Sequence, residues 1–581
     1  MKKFMKNNGI TLVALVVTIV VLLILAGVSI SLVLGDNGLI SQAKQSANAT
    51  KEAAANEYNV IDQLESQIAD LSSEYNKVNK PKLKTGMTPV YFVENGDIYE
   101  TKTTNESDSN WYDYEAKHWA NAQTADGSMW VWIPRFAYKL NNDNKTFDVK
   151  FLIGTTDYFY NDKGELEKAT RATADSSPDT TKEYAVHPAF ANESDIGFRD
   201  GGWDSELTGI WVAKFEAGQP TSNGNTTENK KSSVKYTQTS VWTAKIENGT
   251  DSDNGMPSRN WLDGAYGSTT TKISYPIFQG AVYSMNYINI REAFAICSVL
   301  TENGNIYGLA DDTDSHLMKN SEWGACSYLA HSKYGLNTDD VYINNITLNS
   351  GSSPTDKASG NEYASVYAVA GVESSTGANT ESVVLTNKSQ INNRSERETK
   401  NIRLWSDTDG GKSSTTGNVY GIFDMSGGLW ERTADYIANG KNTDYGNTNY
   451  AYTTDTDSKY KRMFTADTSN KLVTTSTKYA TVYPYDSASD TGSDYDPVSV
   501  KHWEYNKTLK TIIYGDAVFE TATNGKYSTS YYGDYSHFPA LSYPFFNRGG
   551  SWDNGGAAGL FAFFRTNGVA DYSNGFRAVL V

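Results

Sequence analysis

From Lys80 to the C-terminus the chain sustains no long 3.6-residue apolar period except near positions 290 and 320. Short aromatic and β-branched runs alternate instead with Ser/Thr/Asn/Asp/Gly stretches, the pattern of strands joined by long loops. Residues 129–138 and 209–216 are the clearest strands. Phe294, Ile296 and Val299 predict a helix over 290–300, and Trp323, Tyr328 and Leu329 predict a second over 321–334. Polar stretches at about 219–260, 346–415 and 440–500 read as surface insertions, because apolar runs resume on both sides of each. The fold class expected is α+β, with one large sheet-rich domain over 79–581.

Composition narrows what such a domain can do. The 581 residues carry 51 Lys+Arg against 68 Asp+Glu, a net charge of −17, which excludes an electrostatic grip on nucleic acid or anionic lipid. Two cysteines, Cys297 and Cys326, cannot build a disulfide framework or a Cys-rich zinc site. Each lies on one of the two helices, so they can pair only if those helices pack side by side. Aromatics make up 13% and Tyr outnumbers Phe 39 to 21, a composition rich in contact residues and unlike that of disordered chains.

The N-terminus has a different character. Lys2, Lys3 and Lys6 precede Gly9, and residues 10–34 run without a charge. As a helix of 1.5 Å rise the run reaches roughly 37 Å, enough to cross a bilayer. The flanking charges predict a cytoplasmic N-terminus and an extracellular body. Lys6-Asn-Asn-Gly9 followed by Ile10-Thr-Leu-Val-Ala14 resembles the leader and first helix of type IV prepilins and pseudopilins. That resemblance implies a leader over 1–9, cleavage between Gly9 and Ile10, a pilin-like transmembrane helix over 10–34, and pilin-like subunits as partners. The family has Glu where Ala14 stands, which points to a minor or tip subunit or a simple anchor. Val60, Leu64, Ile68 and Leu71 form one helical stripe within a stalk expected over 35–78.

Four segments recur in order further on: Gly209-Ile-Trp-Val-Ala-Lys-Phe-Glu216, the helix around Glu292, His316-Leu-Met-Lys-Asn-Ser-Glu-Trp323, and Gly417-Asn-Val-Tyr-Gly-Ile-Phe-Asp-Met-Ser-Gly-Gly-Leu-Trp-Glu431. Asn547-Arg-Gly-Gly-Ser-Trp552 and Gly575-Phe-Arg577 close the series. This series resembles the formylglycine-generating-enzyme, or sulfatase-modifying-factor, family, and so implies an elaborated C-type-lectin-type domain with long loop insertions. The residues themselves suggest scaffold. Gly421, Gly427 and Gly428 suit tight turns, Asp424 and Glu431 suit buried acceptors, and Arg577 suits a carboxylate partner.

The oxidases of that family act through two cysteines between the last two motifs. Here residues 553–574 contain none, so that activity is not expected and no catalytic residue is assigned. The six histidines are scattered, without metal-ligand spacing, and His187 in Val-His-Pro-Ala-Phe reads as a packed turn residue. No cofactor or metal is expected. Asp407-Thr-Asp409 and Asp494-Tyr-Asp496 offer carboxylates of the kind Ca²⁺ takes but complete no Ca²⁺ loop pattern, and solvated turns are the expectation.

Residues 547–577 set unlike side chains on a glycine framework: Ser551, Asp553, Asn554, Ala562, Phe564, Arg565, Thr566, Asn567, Asp571, Tyr572 and Ser573. The segment resembles the variable region of diversity-generating-retroelement target proteins, which implies a diversified binding face made by these residues. Tyr, Phe and Arg anchors among Ser, Asn and Gly suit adaptable recognition. The sequence thus predicts an adhesin-like protein at a bacterial membrane or cell surface, binding a cell-surface protein or glycan, with no nucleic-acid partner. The rival expectations are a structural minor pilin and, further off, an enzyme of the modifying-factor family.

Overall fold

The computed structural model describes Val16 and, from Asn79 to Val581, all but the stretches 142–143, 174–175, 193–201, 219–235, 238–271, 274–275, 283, 287–289, 302–304, 349–365, 369–382, 386–392, 400–401, 439–476, 485–495, 509–513, 569–570 and 572. The chain divides into two units, Met1–Glu74 and Tyr75–Val581. The sheets and the candidate site belong to the second. The expected leader, the stalk and residues 10–34, Val16 apart, lie outside the described residues.

Along the chain come β1 (Thr88–Asn95), β2 (Ile98–Thr103), β3 (Asn121–Gln123), β4 (Met129–Pro134) and β5 (Gly209–Ala213). Helix α1 (Ile290–Ser298), strand β6 (Ser315–Leu317) and helix α2 (Asn320–Ala330) follow. Next are β7 (Trp430–Ile437), β8 (Thr481–Tyr483), β9 (Ser528–Thr529) and β10 (Tyr535–Ser536). The last four strands are β11 (Phe545–Gly549), β12 (Gly559–Thr566), β13 (Asn574–Phe576) and β14 (Ala578–Leu580).

Two seven-stranded sheets organise the unit. The first runs β6-β14-β5-β4-β3-β1-β2 and is antiparallel throughout. Its strand β14 comes from the chain's end and pairs on both sides, Trp211 with Leu580 and His316 with Val579. The second runs β8-β7-β11-β12-β10-β9, with β13 parallel to β7. Helix α1 packs on β6 and β7, and α2 also reaches β7. All eleven residues of α2 are buried. Gly324 on α2 sits so close to the Gly515 carbonyl that a Cβ would overlap it, so the close approach requires glycine. The arrangement is a sheet-rich α+β fold with few helices.

Several expectations change on folding. The strand foreseen over 129–138 breaks after Pro134, which has no N–H to donate. Phe136–Asn141 then joins a separate sheet with Thr146–Phe151 and Ala185–Val186. The polar stretch 346–415 is not all surface: Ile402, Asp407, Ser413, Ser414 and Thr415 are buried, and Arg397 pairs with Asp407 at 2.6 Å.

The membrane and cell-surface location is corrected as well. Among the described residues no helix is long and apolar enough to cross a membrane. The longest, Asp496–Thr508, has 13 residues, about 20 Å where a span needs roughly 30 Å of apolar helix.

Candidate functional site

The second sheet's register assembles one face. Arg432 on β7 opposes Asn547 on β11, which opposes Phe564 on β12, and Asn574 on β13 opposes Trp430. Side chains alternate along a strand, so Asn574, Trp430, Arg432, Asn547 and Phe564 share a face. Glu431, Arg548 and Phe563 take the other side, where Phe563 joins Trp503, Phe538 and Phe546 in the core.

Strand β10 runs parallel to β12 at Ser536 and Phe563, which places Tyr535 and His537 beside Phe564. Ring centroids lie 5.8 Å from Phe564 to Tyr535, 5.8 Å to His537 and 5.7 Å to Trp430. Tyr527 packs on His537 at 4.3 Å and remains 58% exposed. Its φ of 39° lies in the left-handed region, rare for a residue with a side chain. Five rings thus form a continuous row, buried at Trp430 and His537 and open at Tyr527.

Two turns adjoin this row. In the first, the Ser551 hydroxyl donates to Asp553 Oδ1 at 2.7 Å and Asn554 Oδ1 accepts the Ser551 N–H at 2.7 Å. Its neighbour Trp552 donates its N–H to the Gly428 carbonyl at 2.9 Å. In the second, Asp571 Oδ1 accepts the Ser573 N–H and hydroxyl at 2.8 and 2.6 Å, and the Ser573 carbonyl accepts the Trp430 N–H at 2.8 Å. Both turns are thereby tied to the 427–430 segment. Gly427, Gly428, Gly549 and Gly550 all have positive φ where these chains cross. Gly421 does not, and Asp424 takes the left-handed conformation instead, at 63°.

The sequence-derived candidates separate on this frame. Asp553 and Asn554 are exposed, and Phe564, Asp571 and Ser573 are half-buried. Ser551, Ala562, Arg565, Thr566 and Asn567 are buried. Ala562 and Thr566 share the parity of Phe564, whereas Arg565 turns to the opposite face and lies 4.9 Å over the Tyr543 ring. Tyr572, Gly9 and Ile10 fall outside the described residues. Sequence reasoning passed over Tyr527, Tyr535, His537 and Trp430 as site residues. The signal was present in Tyr527-Ser-Thr-Ser-Tyr-Tyr-Gly-Asp-Tyr-Ser-His537, a Tyr/Ser/Gly composition of the sort that contact loops use.

Beneath the site lies a buried polar frame. Arg577 donates through Nε and a terminal nitrogen to Glu431 at 2.9 and 2.6 Å, and its terminal nitrogens also donate to the Ala213 and Phe423 carbonyls at 2.7 Å. Burial works against the Arg577 charge, but Glu431 outweighs it and holds the guanidinium above its ordinary range. Glu216 accepts from the Ser284 hydroxyl and, at 3.2 Å, from the Leu429 N–H. Burial and then the Asp424 and Glu431 carboxylates push its pKa well up. Lys214 donates to Asn121 Oδ1 and to the Val419 and Gly421 carbonyls at 2.7–2.9 Å. These groups have their contacts inside the protein, which is a scaffold role.

Other candidates resolve similarly. His187 caps the short turn Pro188–Phe190, and burial lowers its pKa to about 3. Cys297 and Cys326 are buried and form no disulfide, and burial pushes Cys326 well above the ordinary thiol range. Asp407 and Asp409 are held by Arg397 and Arg403, and Asp494 lies outside the described residues. Among the described residues no cluster of His, Cys, Asp and Glu is arranged to hold a metal ion. No protein-family model matches the chain and no curated protein matches its sequence.

Proposed function

We propose that the second unit is a ligand-recognition module of C-type-lectin type that binds through the Tyr527–Trp430 aromatic face without performing chemistry. The observation that carries this is the continuous row of five rings with the 551–554 and 571–573 turns tied beside it. Aromatic side chains give large contact area at low entropic cost, and they dominate binding energy where they meet a partner. A scaffold held by internal ion pairs keeps such a face preorganised. The chain-end strand β14 between β5 and β6 supports the lectin-type assignment, because it makes the C-terminal segment part of the sheet framework.

Defined glycan and peptide arrays test the reading, probed with the full chain and with Tyr527→Ala, whose exposed ring can be removed without opening the core. Ligands retained by the parent and lost by the variant support it; identical profiles sink it. Diversification of residues 547–577 belongs to the same reading. Sequencing this stretch across one population should then find substitutions concentrated at Asp553, Asn554, Phe564, Asp571 and Ser573, and an invariant stretch would remove that part.

A further inference from the structure

We propose that Asn524-Gly525, in the turn that leads to Tyr527, is a self-modification site that converts through a succinimide to aspartate and isoaspartate, a property separate from ligand binding. Asparagine followed by glycine is the pair most open to this reaction, because glycine leaves the attacking main-chain nitrogen unshielded. Among the described residues such pairs occur at Asn95, Asn524, Asn554, Asn567 and Asn574. Sequence makes the five equal, and the fold does not.

Four of them are held. Asn95 lies in the ladder opposite Ile98, and its amide donates to Glu100 Oε1 at 2.6 Å. Asn574 lies opposite Trp430, is only 7% exposed, and accepts from Asn547 through Oδ1 at 2.8 Å. Asn554 Oδ1 is turned back to the Ser551 N–H and hydroxyl at 2.7 and 2.9 Å, away from Gly555. Asn567 is 9% exposed, and the Gly568 N–H that would attack it donates to Thr566 Oγ1 at 3.2 Å. Closing the five-membered ring requires the asparagine main chain to rotate, which ladder bonds and burial resist.

Asn524 is free of these restraints. It is exposed, and among the described residues neither its own main-chain N–H and C=O nor the Gly525 N–H makes a hydrogen bond. Its Oδ1 accepts the Lys526 N–H at 2.9 Å. That bond folds the carboxamide over Gly525 and sets a donor where negative charge builds on Oδ1 during attack. Position 525 must be glycine, because a Cβ there would lie 2.5 Å from the Trp503 Cβ. Packing thus keeps the reactive pair in place.

In the reaction the Gly525 nitrogen loses its proton to solvent base and bonds to Asn524 Cγ. The Cγ–Nδ2 bond breaks, and Nδ2 leaves as ammonia with a proton from water. Water then opens the ring. Attack at Cγ gives aspartate, and attack at the main-chain carbonyl carbon gives isoaspartate. Water enters, ammonia leaves and nothing is oxidised. Either product sets a new carboxylate in the turn beside Tyr527, which is 58% exposed, and isoaspartate also lengthens the main chain there by a methylene.

The test incubates the full chain at pH 8 and 37 °C, in buffer and in strong urea, followed by trypsin digestion at pH 6. Mass spectrometry coupled to reversed-phase separation then quantifies the asparaginyl, aspartyl and isoaspartyl peptides. Cleavage after Lys510 and Lys526 leaves Asn524 as the sole asparagine of its peptide. In buffer Asn524 should convert at least tenfold faster than each of the other four, and in urea all five should agree within about twofold. Isoaspartate should form alongside aspartate, and the rate should rise about tenfold per pH unit from pH 6 to 8. Equal rates in buffer, or a faster rate at any of the other four, overturn the proposal. So does an Asn524 that stays unchanged in buffer, because the fold then protects this pair. Aspartate as the sole product overturns it too, since direct hydrolysis passes through no ring.

Discussion

Arg577 and Glu431 form a bidentate pair that is out of contact with water, with side-chain exposures of 0% and 1%. Such a pair roughly cancels its own desolvation cost, but removing one partner leaves a buried charge behind. Glu431→Gln or Arg577→Met alone should therefore destabilise the protein by about 3–5 kcal/mol, read from urea unfolding midpoints. The double substitution Glu431→Leu/Arg577→Met should cost less than the two singles added together; simple additivity would show that the pair is not coupled. Burial raises the Glu431 pKa to about 7 despite Arg577, and Asp435 and Asp516 move in the same direction. Burial raises their pKa values to about 7 and about 6, against about 3.9 in an unfolded chain. The folded state thus binds more protons than the unfolded one, and the stability these groups contribute, full below pH 4, is lost as pH rises through 6 and 7. Thermal unfolding should show a melting temperature that falls from pH 5 to pH 8, and Asp435→Asn should flatten that slope. At this scale the sequence was informative about type and silent about partner. Arg577 was foreseen with a carboxylate, but that the carboxylate is Glu431, 146 positions away, follows from β13 lying parallel to β7.

Elements carry their own predictions. β14 is only three residues long, yet it sits inside the first sheet between β5 and β6 and supplies ladder bonds to both. Truncation after Arg577 strips both neighbours of their partner and removes Val579 and Leu580, which are fully buried. Circular dichroism of that truncated chain should show loss of the cooperative unfolding transition; a native-like melt would mean the sheet closes without its last strand. Gly550 has a φ of 81°, and a Cβ there would overlap Ala558 across the turn that presents Asp553 and Asn554. Gly550→Ala should cost about 1–3 kcal/mol and weaken ligand binding together with stability. The two helices were legible in the sequence, within a few residues at their C-terminal ends, because apolar spacing on a buried helix is a local signal. The break after Pro134 was not, since whether a proline ends a strand depends on which sheet receives the next residues.

For the whole molecule, net charge is the property with the widest reach. Seventeen excess negative charges repel one another, so lowering the pH toward 5 relieves repulsion in the same direction as the buried aspartates favour. Salt should screen this self-repulsion and stabilise the fold, so the melting temperature should rise between about 50 and 300 mM salt. A melting temperature that falls would show that attractive ion pairs outweigh the net charge.

The sequence alone determined the class. Alternating short aromatic runs, two apolar helices, and glycines spaced for tight turns made a sheet-rich α+β domain, because strand, helix and turn preferences are local. It also located Phe564, Asp553 and Asp571 in a chemically mixed C-terminal segment. Only the tertiary structure decided what stands beside them. The parallel pairing of β10 with β12 brings Tyr535 and His537 to Phe564, and the β7–β13 register brings Trp430 to the same face. Pairing register is set by long-range packing, and a shift of one residue would have turned each of these side chains to the opposite side. For the same reason Arg565, adjacent to Phe564 in sequence, faces Tyr543 on the other side of the sheet.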